Sequence, residues 1–372
     1  MSTHAKTARG TVVRQRGLSL IELMVALVIS AVLVLGAGQV YVGSRNSYNQ
    51  NETVSRLQET ARYALSVIET DVRMANYWGL MQNSPPIVGA PTAQGLPLAA
   101  AANSVAANVC GQNFATDVTN FLQADNNLYQ LSLNNSKQAG CDSLSGWNTL
   151  PVGTSDTLTV RHASIVAGVG IPGTLQLCST QSDAALISNG VCPLPVVLPI
   201  VQQINNIIVD AYYVDQNSTQ QNGLPSLHRK ALTSVGGAIT WQDQEIVAGV
   251  EDMQIEFGID PGLAANPNIG TATRYVSPND PILAAATTQV VAVRVWLMVR
   301  SDTPEAGFID GITYAYADRA AINGVTYDLN TAANATMAYR PQFDPAAALG
   351  GRAHCRRLLV SRTIQIRNTY RL

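Results

Sequence analysis

From Leu18 to Gly43 the chain is almost uninterruptedly apolar, and Glu22 is the only formally charged side chain in the run. At about 1.5 Å per residue, a helix over residues 18–43 is about 39 Å long, more than a bilayer core of about 30 Å requires, so the pattern predicts a spanning helix. Past Gly43 the hydrophobic positions thin out without losing helical spacing: Val54, Leu57, Ala61, Leu65, Ile68, Val72 and Ala75 form one stripe. Glu52 with Arg56 and Glu69 with Arg73 are acid-to-base i,i+4 pairs, each supporting the polar face by about 0.2–0.5 kcal/mol. The prediction is one helix from about Leu18 to Asn76, membrane-embedded over residues 18–43 and amphipathic over residues 44–78. Trp78-Gly79 and Pro85-Pro86 supply its stop.

Beyond the helix, residues 85–108 are rich in Pro, Gly and Ala and read as a loop. Residues 110–150, rich in Asn, Gln, Ser and Asp, are expected to cover a sheet without belonging to it. Strand patterns start at Thr157-Leu158-Thr159-Val160-Arg161-His162 and recur at Leu175-Gln176-Leu177-Cys178 and over residues 204–214. Ile255, Phe257 and Ile259 then alternate with Glu256 and Gly258. Val291, Val293, Val295, Leu297 and Val299 share one face of a longer strand, with Arg294, Trp296 and Met298 on the other. Leu358, Val360, Ile364 and Ile366 share a face that Arg362 interrupts. The expected fold is α+β: a long N-terminal helix whose stripe is buried on one antiparallel sheet, within a head spanning residues 79–372. No internal repeat is visible.

Charge orients this plan. Residues 1–17 hold Lys6, Arg9, Arg14 and Arg16 and no acid, which keeps the N-terminus cytoplasmic and sends the remainder outward. A secretory signal ends its apolar core in a small-residue cleavage site, whereas Gly17, the small residue here, precedes the core. A cut at Gly17 therefore leaves the helix in place. Glu22 is costly in lipid, about 2.5–3.5 kcal/mol on insertion scales unless it finds a partner. Cutting after Gly17 makes such a partner, the α-ammonium of Leu18 four residues away, and the spacing leaves open whether the two pair within one chain or between two. A carboxylate that snorkels at the end of a simple anchor is the plainer alternative.

Arg16, Gly17, Leu18 and Glu22 follow the order basic residue, glycine, apolar residue, then Glu at the fifth place of an apolar helix. This resembles the class III prepilin signal of type IV pilins and type II secretion pseudopilins, with Leu18 standing where many members have Phe. The resemblance implies that a prepilin peptidase removes residues 1–17 by cutting between Gly17 and Leu18, and that Leu18 is N-methylated. It also implies that Glu22 docks the subunit by meeting the terminal amine of a neighbour. Gly36 and Gly38, each costing about 1 kcal/mol against Ala in a soluble helix, then serve close packing or unwinding in a fibre, or are ordinary membrane-helix glycines.

Three later blocks resemble PilW-type minor pilins, relatives of the J-type pseudopilins. They are Trp241-Gln242 with Gly249-Val250-Glu251-Asp252-Met253-Gln254-Ile255, Val293-Arg294-Val295-Trp296-Leu297-Met298-Val299-Arg300-Ser301, and the stretch from Arg356-Arg357 to Arg367-Asn368. The implied protein is a non-enzymatic minor pilin with a single inner-membrane pass and a periplasmic head, later carried in the fibre at the cell surface. Its implied partners are other minor pilins, the major pilin and the prepilin peptidase, with a tip adhesin as a further candidate, and its implied role is priming and assembly from a tip complex. A J-type pseudopilin and a membrane-anchored periplasmic binding protein are the alternatives.

Composition adds exclusions. Loss of the leader takes the net charge from −2 to −6, so no basic surplus points to nucleic acid. Five cysteines, all beyond the apolar run, suit an oxidising compartment. Chain order suggests Cys110 with Cys141 and Cys178 with Cys192, leaving Cys355, although four cysteines alone admit three pairings. No closely spaced Cys/His set suggests a metal, and no cofactor is expected; adjacent His354 and Cys355 are poorly placed to chelate one ion. No nucleophile elbow, phosphate loop or His-Glu-x-x-His helix is present, and His162 reads as a surface or core residue. Asp215-Gln216-Asn217-Ser218-Thr219 starts like a calcium loop but has Gln220 at the sixth place and Ser226 at the twelfth, so a turn is expected. Asp142, Asp243 and Asp252 have no evident partner. Arg352, Arg356, Arg357, Arg362 and Arg367 form either a basic patch or, as expected for exposed positions, edge-strand charges that discourage strand addition.

Overall fold

The computed structural model describes residues 17, 19–81, 87, 115–118, 120–126, 155–194, 201–262, 270–285, 288–305, 307–312, 314, 316–317 and 354–368. The chain divides into two compact units, residues 1–54 and 55–372.

In the first unit the described structure is the start of α1 (Leu20–Met74). Its side chains are exposed from residue 20 to residue 52, and α1 is the one helix among the described residues long and apolar enough to cross a membrane. Hydroxyls in this stretch turn back onto the helix: Ser30 Oγ donates to Ala26 O at 2.7 Å and Ser47 Oγ to Gly43 O at 3.0 Å. A polar side chain can thus sit in an apolar run without an external partner.

The second unit holds the later turns of α1 and eleven strands among its described residues. These are β1 (Leu122–Asp125), β2 (Thr157–Gly168), β3 (Gln176–Ser179), β4 (Ala184–Ile187), β5 (Gln203–Asp215), β6 (Ser226–Val235), β7 (Ala238–Ala248), β8 (Val250–Asp260), β9 (Arg274–Val276), β10 (Gln289–Arg300) and β11 (Arg357–Gln365). They make two sheets, not the single one expected, and every pairing is antiparallel. The first runs β1-β2-β5-β3-β4, with β6 beside the second half of β5 and β7 beside β6; the second runs β11-β10-β8-β9. At 13 residues β5 is long enough to serve two neighbours along one edge, residues 203–206 meeting β3 and residues 210–215 meeting β6. Gly236 and Gly237, both at positive φ, turn β6 into β7, the backbone a two-residue hairpin requires.

One core lies under α1. Leu57, Ala61, Ala64, Leu65, Ile68, Val72 and Ala75 pack with Leu158, Val160, Tyr212 and Leu227 of the first sheet and with Met253, Ile255, Val293, Val295 and Leu297 of the second. A second core occupies the other face of the first sheet, where Ile207, Val209, Ala211 and Tyr213 of β5 meet Leu177, Leu186, Trp78 and Trp241. Because successive residues of a strand face opposite ways, the even positions of β5 go to the helix and the odd ones to the second core. This explains its dense, β-branched sequence.

Residues 110–150 also depart from expectation, since residues 122–125 are β1, an edge strand paired with residues 157–160 of β2. The physical reason is Arg161, which is fully buried. Its guanidinium donates to Asn120 O at 2.6 Å and Gln123 Oε1 at 3.1 Å, and such a group must find acceptors. Burial pulls its pKa down to about 10 against the attraction of Asp117 and Asp125, and burial pushes Asp125 up to about 6 against a hydrogen bond from Thr157 and the charge of Arg161.

Candidate assembly helix and its anchorage

Gly17 is exposed, and Leu18 lies outside the described residues. At the first turn of α1, Ser19 N–H donates to Glu22 Oε2 at 3.0 Å and Glu22 N–H donates to Ser19 Oγ at 3.2 Å. This reciprocal capping box satisfies two N–H groups that a helix start otherwise leaves bare. It also sets the carboxylate at the positive end of the helix dipole. The signal was legible as Ser19-Leu20-Ile21-Glu22, a Ser-x-x-Glu before an apolar run, and the spacing argument to the Leu18 amine passes over it. Among the described residues, Gly36, Gly38 and Gly43 meet nothing beyond their own turns of the helix within 4 Å of where a side chain would start.

The head holds the later turns of α1 by polar contacts as well as by the stripe. Glu69 is forked between Arg73, its i,i+4 partner, and Arg362 Nη1 at 2.5 Å. Arg362 is the residue that breaks the apolar face of β11; it pairs with Val295 across the sheet, on the helix side, and reaches the helix carboxylate. Tyr212 of β5 donates its hydroxyl to Asp71. The helix ends in agreement with expectation, but Asn76, at φ 63°, does the turning, since Asn tolerates the left-handed conformation. Asn76 Nδ2 donates to Asn368 O at 2.7 Å, and Asn368 Nδ2 returns to Ala75 O at 3.2 Å. The chain's far end thereby caps the helix. Trp78 is buried, with its indole N–H on Asn76 Oδ1 at 2.8 Å.

The arginines near the C-terminus are not a free basic patch. Arg357 is buried between Glu251 at 2.6 Å and Asp310 at 3.2 Å, and Arg356 makes a two-pronged contact with Glu305 at 2.8 Å. Tyr314 donates to Asp310 at 3.1 Å; burial and that carboxylate hold its phenol above the ordinary range. Asp252 receives the Tyr316 hydroxyl at 2.5 Å. Arg352, like Asp142, lies outside the described residues.

One set of residues has the connectivity of a hydrolase triad. His228 Nδ1 is 3.1 Å from Asp243 Oδ2 and its Nε2 is 2.9 Å from Ser226 Oγ. Ser226 is fully buried and donates its hydroxyl to Asn217 O at 2.9 Å, whereas a nucleophile must reach substrate and pass its proton to the base. Tyr213 adds a bond to Asp243 at 3.0 Å, and the set knits β5, β6 and β7 together. The adjoining loop is the expected turn: Asn217 N–H donates to Asp215 Oδ1, and Glu245 accepts from Ser218 Oγ at 2.7 Å, Thr219 N at 2.6 Å and the Thr219 hydroxyl. Burial works against the charge on Glu245, but these bonds hold its carboxyl below the usual range. No His/Cys/Asp/Glu group able to hold a metal occurs among the described residues.

Cys178 and Cys192 form a disulfide with a Cα–Cα distance of 5.6 Å. Cys110 and Cys141 lie outside the described residues. Cys355 is free and buried; burial pushes its thiol up, away from the reactive thiolate.

An apolar helix with one carboxylate in its first turn, running into an antiparallel α+β head, defines a pilin-like protein. Residues 13–38 match the prokaryotic N-terminal methylation motif, and residues 211–368 match the family described as type IV pilus-assembly protein W. The two matches together support a type IV pilus minor pilin of the PilW type. The second match runs from the end of β5 through β11 and contains all three blocks singled out in the sequence. Comparison with curated proteins and with solved structures finds no match. The pilin-family matches point to a structural protein and imply prepilin processing and interaction with other pilus components.

Proposed function

We propose that the chain primes pilus assembly from a tip complex with other minor pilins and the major pilin. A prepilin peptidase removes residues 1–17 and methylates Leu18; residues 18–43 anchor the product in the inner membrane, residues 44–78 continue the helix, and residues 79–372 form a periplasmic head. The observation that carries the reading is the single carboxylate of the apolar, exposed stretch of α1 up to Gly43, held at the first turn by Ser19. A local cap lowers the cost of keeping Glu22 in lipid while it waits. An ammonium from a neighbouring subunit is a stronger partner than a neutral amide, because charge-assisted bonds are roughly twice as strong. Docking then exchanges one for the other, and apolar helices pack side by side, first in lipid and then in a fibre. The head's bulk suits the end of a fibre.

Glu22→Ala is expected to be cut normally at Gly17, so that N-terminal sequencing begins at Leu18, yet to be lost from sheared pili. Normal incorporation of that variant, or a native product that still begins at Met1, overturns the reading. Crosslinking that finds the protein all along the shaft overturns the tip placement.

A further inference from the structure

Past the point where α1 ends, the first sheet continues into an end without charge. β2 runs beside the last turns of α1 and in the same direction. Its Leu158 pairs with Tyr212, whose hydroxyl meets Asp71; its Arg161 O accepts from Asn76 N at 3.4 Å, and its Ala163 N donates to Tyr77 O at 2.7 Å. Up to Ala163 the outer edge of β2 is occupied, first by β1 and then by the backbone of Phe121 and Tyr77. From residue 164 to residue 168 no strand lies on that side among the described residues, and Ile165 and Val166 are 68% and 70% exposed.

Three stretches meet at this end. The connection from β2 to β3 adds Val169 and Ile171 to that pair, the stretch after β4 adds Val191 and Val201, and the turn from β6 to β7 adds Val235, all exposed. Apart from α1, the other large apolar side chains that the described part of the head exposes are Ile309 and Ile312. Residues 163–209 contain one charged residue, Asp183, and residues 231–242 contain none. Asp183 stands in the turn between β3 and β4, at the far end of those strands, where Ser179 pairs with Ala184.

The surface is braced from within. Gly173 N–H donates to Ser188 O at 2.8 Å and Gly173 O accepts from Ser234 Oγ at 2.8 Å, so one residue ties the three stretches together. Gln176 accepts from Ile171 N at 2.8 Å and donates to Val169 O at 2.9 Å. Gly170 lies against Gly190, where a Cβ would come within 1.7 Å of the Gly190 oxygen, and the Cys178–Cys192 disulfide fastens the second stretch to β3. The apolar side chains are thus held outward on a pinned backbone.

Area and chemistry select the occupant. An aliphatic side chain offers roughly 60–120 Å² of apolar surface, so the seven here, about two-thirds exposed, present about 400 Å². That is close to the apolar share, about 57%, of the roughly 800 Å² that one partner gives to a protein–protein interface of standard size. A lipid surface calls for Trp, Tyr, Lys or Arg, and residues 164–175, 188–203 and 234–238 carry none. A second copy fits poorly. Two β2 edges joined about a two-fold axis run antiparallel and set their α1 helices antiparallel, whereas copies anchored in one membrane have theirs parallel.

Resting on the assembly reading above, we propose that this end of the head is a docking platform for a different pilus subunit. The partner adds an extended, uncharged, aliphatic segment to the open edge of residues 164–168 and covers the valines and isoleucines around it.

The test places a benzophenone photocrosslinking amino acid at Val166 of the full chain, in cells that assemble the pilus, with Gln181 in the turn at the far end of β3 as the comparison site. Irradiation is expected to join Val166, and not Gln181, to another protein through a segment without charged residues. Mass spectrometry should identify that protein by its own leader, a basic residue, Gly and an apolar residue, with Glu at the fifth mature place. No protein adduct, an adduct with a second copy or with lipid, or the same adduct from Gln181 each overturns the platform. With the crosslinker moved to Val191, Val166→Lys is expected to cut the adduct at least about tenfold, because the ammonium is buried without a partner. An unchanged yield overturns the proposal. Val166 is exposed, so urea unfolding of the head is expected to be unmoved and the loss to be one of docking. A chain that is cut at Gly17 and present in pili but gives no adduct overturns the platform alone; one that is never cut or never in pili overturns the assembly reading and the platform with it.

Discussion

The first and the last turns of α1 belong to one unbroken helix and solve opposite problems. In residues 20–43 the side chains are exposed, and the one charge, Glu22, is met by the backbone three residues before it. In residues 57–75 a narrow stripe is buried against two sheets, and the charges beside it are met by residues more than a hundred positions away, Asp71 by Tyr212 and Glu69 by Arg362. The lesson is about solvent. A helix intended for lipid or for other helices must satisfy its polar groups locally, since nothing around it can be relied on to do so. A helix held by a head can delegate them.

The widest separation between the regions should appear where the head buries charge. Arg357→Ala leaves Glu251 and Asp310 buried without their cation and is expected to cost about 3–5 kcal/mol in urea unfolding followed by tryptophan fluorescence. Arg357→Met, which removes the charge but keeps much of the volume, will not rescue it, because the two acids stay buried without the guanidinium's positive charge. A paired truncation comes next. Ile68 is fully buried and Ile29 is 54% exposed, so Ile68→Ala should destabilise the head by about 2–5 kcal/mol, while Ile29→Ala leaves the same transition unmoved. Equal effects would erase the contrast between the regions. The smallest effect belongs to the capping box: Ser19→Ala should weaken the first turn by about 1 kcal/mol, visible as lower helicity of residues 19–30 by NMR in micelles. Unchanged shifts there would mean that Glu22 does not depend on its local partner.

Several of these features were open to reading in the sequence. The stripe from Leu57 to Ala75 and the Glu69–Arg73 pair follow from helical spacing alone, and the Cys178–Cys192 disulfide is the pairing chain order suggested among the three open to four cysteines. Ser19 with Glu22 is equally local, a Ser-x-x-Glu at the start of the apolar run. By contrast, Arg362 in the sequence is a flaw in an apolar face, and nothing within ten residues shows that Glu69 answers it. Asn368, four positions from the chain end, gives no sign of capping the helix at Ala75. Asp71 reads as an ordinary polar position of the helix, and only the fold brings the Tyr212 hydroxyl to it. The strand alternation was legible, but alternation says which residues share a face and not which strand lies alongside. One sheet was therefore expected where β8 to β11 in fact form a second.

By itself the sequence determined what depends on neighbours along the chain: the extent and apolar character of α1, the charge asymmetry at its start, the faces of the strands and the compartment its cysteines suit. The tertiary structure decided the partners of Arg161, Glu69, Asp71 and Arg357, the division into two sheets and the ending of the helix by Asn76 and Asn368. The physical reason is range. Helical periodicity and capping act over three or four residues and leave a mark in the order of the amino acids. A buried carboxylate accepts any donor the fold brings to it, at whatever distance along the chain, and that choice is made only when the core closes.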